Sequence, residues 1–287
     1  MNVFSILSDK DKPIKLNAKN YENKTKRGFP YTQDINNKIK EFALCPDCNN
    51  PVILVNRKNN ETDSNTLYAK HVKYDVHALA KYNQLAYDEC SLANPTRMDD
   101  KTRRSEENKK NNEIKKAVID FFDLIVSFAI KDTGIDFSDN ILNTLLDEFS
   151  DNKGYEYRAI NLYNLPYAFV YMTSAKDLYG CSVNDDIAYA INKRSAAFET
   201  RGKYKNFVSR KLESPNNRIM FYFSDHKNSS INGFESLNVN VIEVECNKSI
   251  ESASTLYSKK IEFSGDMFFN TMMKRKKLIE KAKLRVK

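Results

Sequence analysis

The sequence predicts an α+β fold in two parts: an N-terminal cysteine-bearing module, then a helical segment and a mixed, mainly antiparallel sheet region. Three observations predict it. Metal-ligating residue types gather at Cys45, Cys48, His71, His77 and Cys90. Apolar residues recur at three- and four-residue spacing over 105–131 and again over 138–149, as in helices that bury one face. Runs rich in β-branched and aromatic residues at 218–224 and 237–245 then alternate as strands do. The module is expected at 1–95. An α+β domain with a basic C-terminal helix is expected at 105–287.

In chain order, residues 1–28 read as an extended lead-in with an edge strand at 3–7. Residues 10–27 hold seven basic and two acidic groups, a run expected to be solvated and partly mobile. Phe29-Pro30-Tyr31 then turns the chain into a short helix over 32–42. Cys45-Pro46-Asp47-Cys48 follows. Two cysteines separated by two residues form a tight turn that aims both sulfurs at one point, and Asn49-Asn50-Pro51 closes it. Short strands are expected at 52–55 and 66–69, joined by the polar run 56–65. His71 stands just past the second strand, and Cys90 follows a helical segment over 78–89.

A structural zinc takes four thiolate or imidazole ligands in a tetrahedron. The ligand set expected for Zn2+ is Cys45, Cys48, His71 and Cys90, with His77 the competing fourth ligand. The first part is thus a zinc-stabilised N-terminal module. Five cysteines, an odd number, argue against a disulfide framework, and Cys181 and Cys246 read as small buried apolar residues. Asp47, Asp88 and Glu89 beside the cysteines could support the ligands, but read first as solvated charge. The pattern Cys45-Pro-x-Cys48-x-x-Pro51-Val52, with a histidine at a later strand end, resembles the N-terminal zinc module of competence-protein CoiA-like bacterial proteins. That resemblance covers fewer than fifty residues. Tyr68-Ala69-Lys70-His71 stands where that module ends His-Phe-Ala-His, and no nuclease motif of that family follows downstream.

Residues 91–104 are polar and read as a linker. Ser105 is the expected N-cap of the 105–131 helix and Gly134 its C-cap. Residues 132–151 contain six acids and no base, read as a solvated helix face. Five tyrosines over 155–173 suggest two short strands around Pro166. The strands at 218–224 and 237–245 should pair as a hairpin with a long loop, and the change of alternation after Val241 predicts a bulge.

Length and composition set bounds. A chain of 287 residues suffices for one large or two small cores. No apolar run approaches the ~18–20 residues that span a membrane; Asp120, Asp123 and Ser127 interrupt the longest, 117–130. The first residues do not combine a basic start, an apolar stretch and a cleavage site, so a cytoplasmic location is expected. Abundant Lys and Asn beside seven Gly suggest a prokaryotic or phage origin. Of the net charge of +8, residues 274–287 carry +7, from eight basic groups and one acid.

That distribution points to phosphate. Residues 193–211 carry seven bases against Glu199, interleaved with Phe198, Tyr204 and Phe207. Bases neutralise phosphates and aromatics stack on unpaired nucleobases. DNA or RNA is the expected partner, through Lys193, Arg194, Arg201, Lys203, Tyr204, Lys205, Arg210, Lys211, Lys274, Arg275, Lys276 and Lys277. Two alternatives remain at this level. Asp225, Glu243 and Glu245, with Lys227 or Lys248, could build the cation site of a metal-dependent nuclease or defence effector. The acidic and aromatic faces could instead dock a protein, as in an adaptor subunit.

Overall fold

A computed structural model describes residues 1–59, 64–93, 98–99, 101–227 and 235–286. It is a mixed α/β structure with eight α-helices among these residues, and every strand pairing is antiparallel. The chain divides into two compact units, one built on Met1–Arg97 and Ser264–Lys287, the other on Met98–Lys227 and Ser236–Phe263.

The first unit is a six-stranded sheet. β1 (Val3–Ile6) forms a tight hairpin with β2 (Asp9–Lys15) and also pairs with β4, so it lies inside the sheet and not at its edge. The basic run 10–27 is ordered: it forms β2 and α1 (Ala18–Thr25). Pro13 is tolerated because β2 is an edge strand. Asn17 caps α1, and Tyr21, fully buried, anchors it by donating to the carbonyls of Tyr31 and Phe42 at 3.0 and 2.9 Å. Residues 32–42 are not a helix. They form β3 (Thr32–Asp34) and the start of β4 (Ile39–Leu44), joined through Asn36 and Asn37, both at positive φ. Asn is among the few residues that tolerate that conformation, and two in a row suit the two-residue turn of a hairpin.

β5 (Pro51–Asn59) and β6 (Ser64–His71) run longer than the sequence predicts; the middle of the expected connection lies outside the described residues. Alternation sorts β4 onto two faces. Ala43 and Cys45 pack with Phe4, Tyr21, Val52, Ala69 and Cys90, while Phe42 and Leu44 pack with Val72, Val76 and Leu79. Of the helix expected at 78–89, only α2 (Gln84–Asp88) forms; Ala78 lies at positive φ in a turn closed by a Val76–Ala80 bridge. The C-terminal helix Gly265–Lys283 belongs to this unit. It buries Phe268, Phe269 and Met272, and Asn270 Nδ2 donates to the Pro13 carbonyl at 2.9 Å.

In the second unit the helix expected over 105–131 is two. α3 (Lys109–Asp120) is capped by Asn108, not Ser105, and non-helical Phe121 separates it from α4 (Phe122–Thr133), which Gly134 ends in the left-handed conformation. The break re-phases the stripe: Ile114 and Val118 are buried before it, Leu124, Ile125 and Phe128 after it. β7 (Ile135–Asp136) leads to α5 (Asp139–Asp151), capped by Ser138. No strands flank Pro166. That residue occupies the first turn of α6 (Leu165–Tyr171), where its missing N–H costs nothing. Every residue from Leu165 to Val170 is buried, so no polar face marks the helical period.

β8 (Lys176–Asp177), β9 (Ser182–Val183), α7 (Asp185–Arg194), β10 (Phe198–Arg201) and β11 (Asn206–Arg210) follow. β12 (Arg218–Lys227) and β13 (Ser236–Val244) form the expected hairpin, and β14 (Ser254–Glu262) pairs with β13. The register shifts at Val241/Ile242 in the β13–β14 ladder, where the bulge is predicted. The sheet orders are β10-β11-β9-β7 and β14-β13-β12-β8.

Glu243 ties these elements together. Its buried carboxylate accepts from Ser195 Oγ (2.7 Å), the Ala196 and Ala197 amides (3.0 Å each) and Asn217 Nδ2 (2.6 Å). Glu243→Gln would turn an acceptor into a donor against these groups. It should destabilise the fold by about 2–3 kcal/mol, read as a lowered denaturant midpoint with unchanged slope.

Candidate metal centre

The β4–β5 connection is the Cys45–Asn50 turn, because Leu44 pairs with Pro51. The Cys45 amide donates to the Asn50 carbonyl (2.9 Å) and the Asn49 amide to the Cys45 carbonyl (2.8 Å), with Asn49 at positive φ. His71 is the last residue of β6, opposite Val52 on β5. One antiparallel meander therefore fixes three of the donors. Cys90 arrives separately, just after α2.

The four donor atoms of Cys45, Cys48, His71 and Cys90 lie within 4.8 Å of one another and could hold a metal ion. Cys45 and Cys90 Sγ are 3.6 Å apart. His71 Nε2 lies 3.4 Å from Cys48 Sγ and 3.7 Å from Cys90 Sγ. A tetrahedron with zinc–sulfur bonds of ~2.3 Å and zinc–nitrogen bonds of ~2.05 Å has edges of about 3.8 Å (S–S) and about 3.6 Å (S–N). The donors thus already stand near the corners such an ion requires. His77 is not among them; its ring is exposed beside Phe29, and its carbonyl accepts from Gln33.

The electrostatics agree with a cation site. Burial pushes the Cys45 thiol well up, whereas hydrogen bonds from Cys45, then Cys90, hold Cys48 far below the ordinary thiol range. Protons from its neighbours thus stabilise a thiolate at Cys48, and a bound dication would take over that role for the whole cluster.

The surroundings brace the donors. Asn50 is buried; its Nδ2 reaches Cys48 Sγ (3.5 Å) and the Asn83 carbonyl (2.9 Å), and its Oδ1 accepts from the Asn83 amide (2.6 Å). Asn83 in turn caps α2. Asp47 accepts from the Ser91 amide at 2.6 Å, so it is a brace and not merely solvated charge. Tyr87 meets the His71 ring edge-on at 5.4 Å. The sequence pattern contains the cysteines and the histidine but not these braces, whose partners are 33 and 44 residues away.

The other candidates are dispersed. Asp225 accepts from Asn238 Nδ2, whereas Glu243 lies opposite Ile219, five residues further along β13 and so ~17 Å away. Glu245 pairs with Lys248. The acidic nuclease cluster does not form, and the Cys/His group is the one metal-ligating cluster of three or more residues found among those described. Within 193–211, Phe198 is buried and three bases serve the fold. Arg194 donates to the Leu256 carbonyl, Arg210 to the Pro215 and Asn217 carbonyls, and Lys211 to the Ser195 carbonyl. Lys193, Arg201, Lys203, Tyr204 and Lys205 are exposed, as are Lys274, Lys276 and Lys277; Arg275 is half-buried.

No protein-family model, curated protein or solved structure matches the chain. No helix among the described residues is long and apolar enough to cross a membrane.

Two outcomes are expected. Cys45→Ser and Cys90→Ser should each abolish stoichiometric metal, read by elemental analysis, and lower stability by about 4 kcal/mol or more. Because thiolates and neutral imidazole are the binding forms, protons compete with metal. The unfolding midpoint of metal-loaded protein should therefore fall from pH 7.5 to pH 5 more steeply than that of Cys45→Ser.

Proposed function

We propose that this is a zinc-containing protein that binds nucleic acid mainly through phosphate contacts, without base-specific readout. Zinc fits the donor set because thiolate and imidazole in a four-cornered shell suit that ion. With all four positions taken by protein, the ion holds the β4–β5 turn, the end of β6 and the segment after α2 together and leaves no site for substrate. Its role is structural.

The observation that carries the nucleic-acid reading is the C-terminal helix. Past Met272 its side chains leave the core: residues 276–286 are all exposed and include Lys276, Lys277, Lys281, Lys283 and Arg285 against Glu280. Such a concentration of unburied positive charge on one rigid element suits a polyanion, whose condensed counterions are released on binding. A prokaryotic or phage setting agrees with the Lys- and Asn-rich composition.

The test is binding of labelled DNA and RNA across a salt series. Affinity should fall steeply with salt. Replacing Lys274, Lys276, Lys277 and Lys281 together by Ala should lower the log–log slope by about 3 and leave metal content unchanged. Absence of binding at low salt would end the reading and favour a protein-docking role instead.

A further inference from the structure

We infer that the β10–β11 hairpin is a stacking platform for unpaired nucleobases, so that the preferred ligand is single-stranded and not duplex nucleic acid. This rests on the nucleic-acid reading above and assigns the part of it that phosphate contacts alone do not explain.

The hairpin carries Arg201-Gly202-Lys203-Tyr204-Lys205-Asn206-Phe207, three bases with no acid among seven residues. In register, Arg201 pairs with Phe207. Alternation divides Phe198 and Val208, 1% exposed on the packed face, from Phe207, 45% exposed on the other; Tyr204, in the turn, is 89% exposed. An aromatic ring left almost wholly in water at a hairpin tip contributes little to the core. With the Lys203 ammonium over the ring, the face turned away from Lys203 is the one left to a ligand.

Gly202 sets the tip. It lies at φ +135°, and a Cβ there would run into the Lys205 carbonyl oxygen. The close approach of residues 202 and 205 places Lys203 and Tyr204 at the apex, with Lys203 Nζ 5.4 Å from the Tyr204 ring centroid. Arg201 is bonded to Glu199 (2.6 Å) and Lys205 to Asp136 (2.8 Å), both on the surface. Exposed ion pairs of this kind are worth little, so exchanging either partner for a phosphate is nearly neutral.

The two exposed rings decide between ligand classes. In a duplex the bases are stacked on each other, and only its phosphates can meet this surface. A single strand offers π-faces to Tyr204 and Phe207 while its phosphates reach Arg201, Lys203 and Lys205. An acidic polypeptide would satisfy the three bases but has no flat groups for the rings.

The experiment uses the full chain, loaded with zinc, and three probes: labelled dT20, a 20-base-pair duplex and poly-L-glutamate. The double variant Tyr204→Ala/Phe207→Ala should bind dT20 at least about tenfold more weakly and change duplex and polyglutamate affinity by less than about threefold. The chain contains no tryptophan. Tyr204→Trp therefore adds a single reporter, whose emission should be quenched by dT20 and not by the duplex. This variant also checks stacking independently of any folding defect in the double variant. Equal losses on all probes, no loss on dT20, a loss confined to polyglutamate, or an unquenched reporter would each overturn the inference. Salt-dependent duplex binding in the same experiment would keep the broader reading intact. No binding of wild-type protein to either nucleic acid would remove both.

Discussion

Three thiols and an imidazole whose donor atoms lie within 4.8 Å of one another impose the constraint on which the first unit depends. Two of the sulfurs, those of Cys45 and Cys90, belong to the same buried cluster as Phe4, Tyr21 and Ala69. The donor set is therefore continuous with the apolar core. Charging such a cluster without a compensating cation is costly, and leaving it as neutral thiols forgoes most of its cohesion. A bound metal would convert that liability into a cross-link between the meander and Cys90, which lies 45 residues from Cys45. The buried Asn50 amide and the Asp47 carboxylate serve the same end by fixing the approach of Asn83 and Ser91.

The second unit solves a related problem differently. It also draws distant strands and a helix together, but through a buried anion. Glu243 gathers donors from the α7–β10 connection and from Asn217, with every contact a hydrogen bond and no counter-charge among them. A carboxylate so surrounded is held by dipoles, much as at a helix N-cap. This accounts for an acidic residue at a buried position of β13. Sequence alone admits it as a catalytic acid, because acid type is visible there and the partners are not.

What could be read from the sequence followed the strength of local chemistry. The CxxC turn, the left-handed Gly134 and the bulge after Val241 each depend on near neighbours, and each is where the pattern places it. Elsewhere context overrides pattern. The β3–β4 hairpin hides in a run without a Gly turn, since Asn36 and Asn37 supply the positive φ values that glycine usually provides. α6 is buried all round, so an aromatic run looked strand-like. The charged residues of 10–27 are exposed, as their pattern indicates, but the pattern does not show β2, α1 and the Tyr21 anchor that order the segment. At the candidate sites the liganding types are legible and Asp47 is readable as a possible brace, but the Asn50–Asn83 contacts are not. Nor could sequence show that Arg194, Arg210 and Lys211 are spent on backbone carbonyls while Lys203 and Tyr204 face water.

The C-terminal helix adds a matter of timing. It docks on β2 (Asp9–Lys15), yet it begins only at Gly265, far later in the chain. All four candidate metal ligands are in place once Cys90 has emerged. The edge strand must then await its helix while more than 160 intervening residues, including the second unit, are made. Metal capture early and helix docking late would give the first unit a half-built intermediate with an uncovered strand edge, the kind of surface on which nascent chains pair wrongly. The charged β2 sequence Asp9–Lys15, with Pro13 in its middle, is well suited to keep that edge from recruiting another strand during the wait.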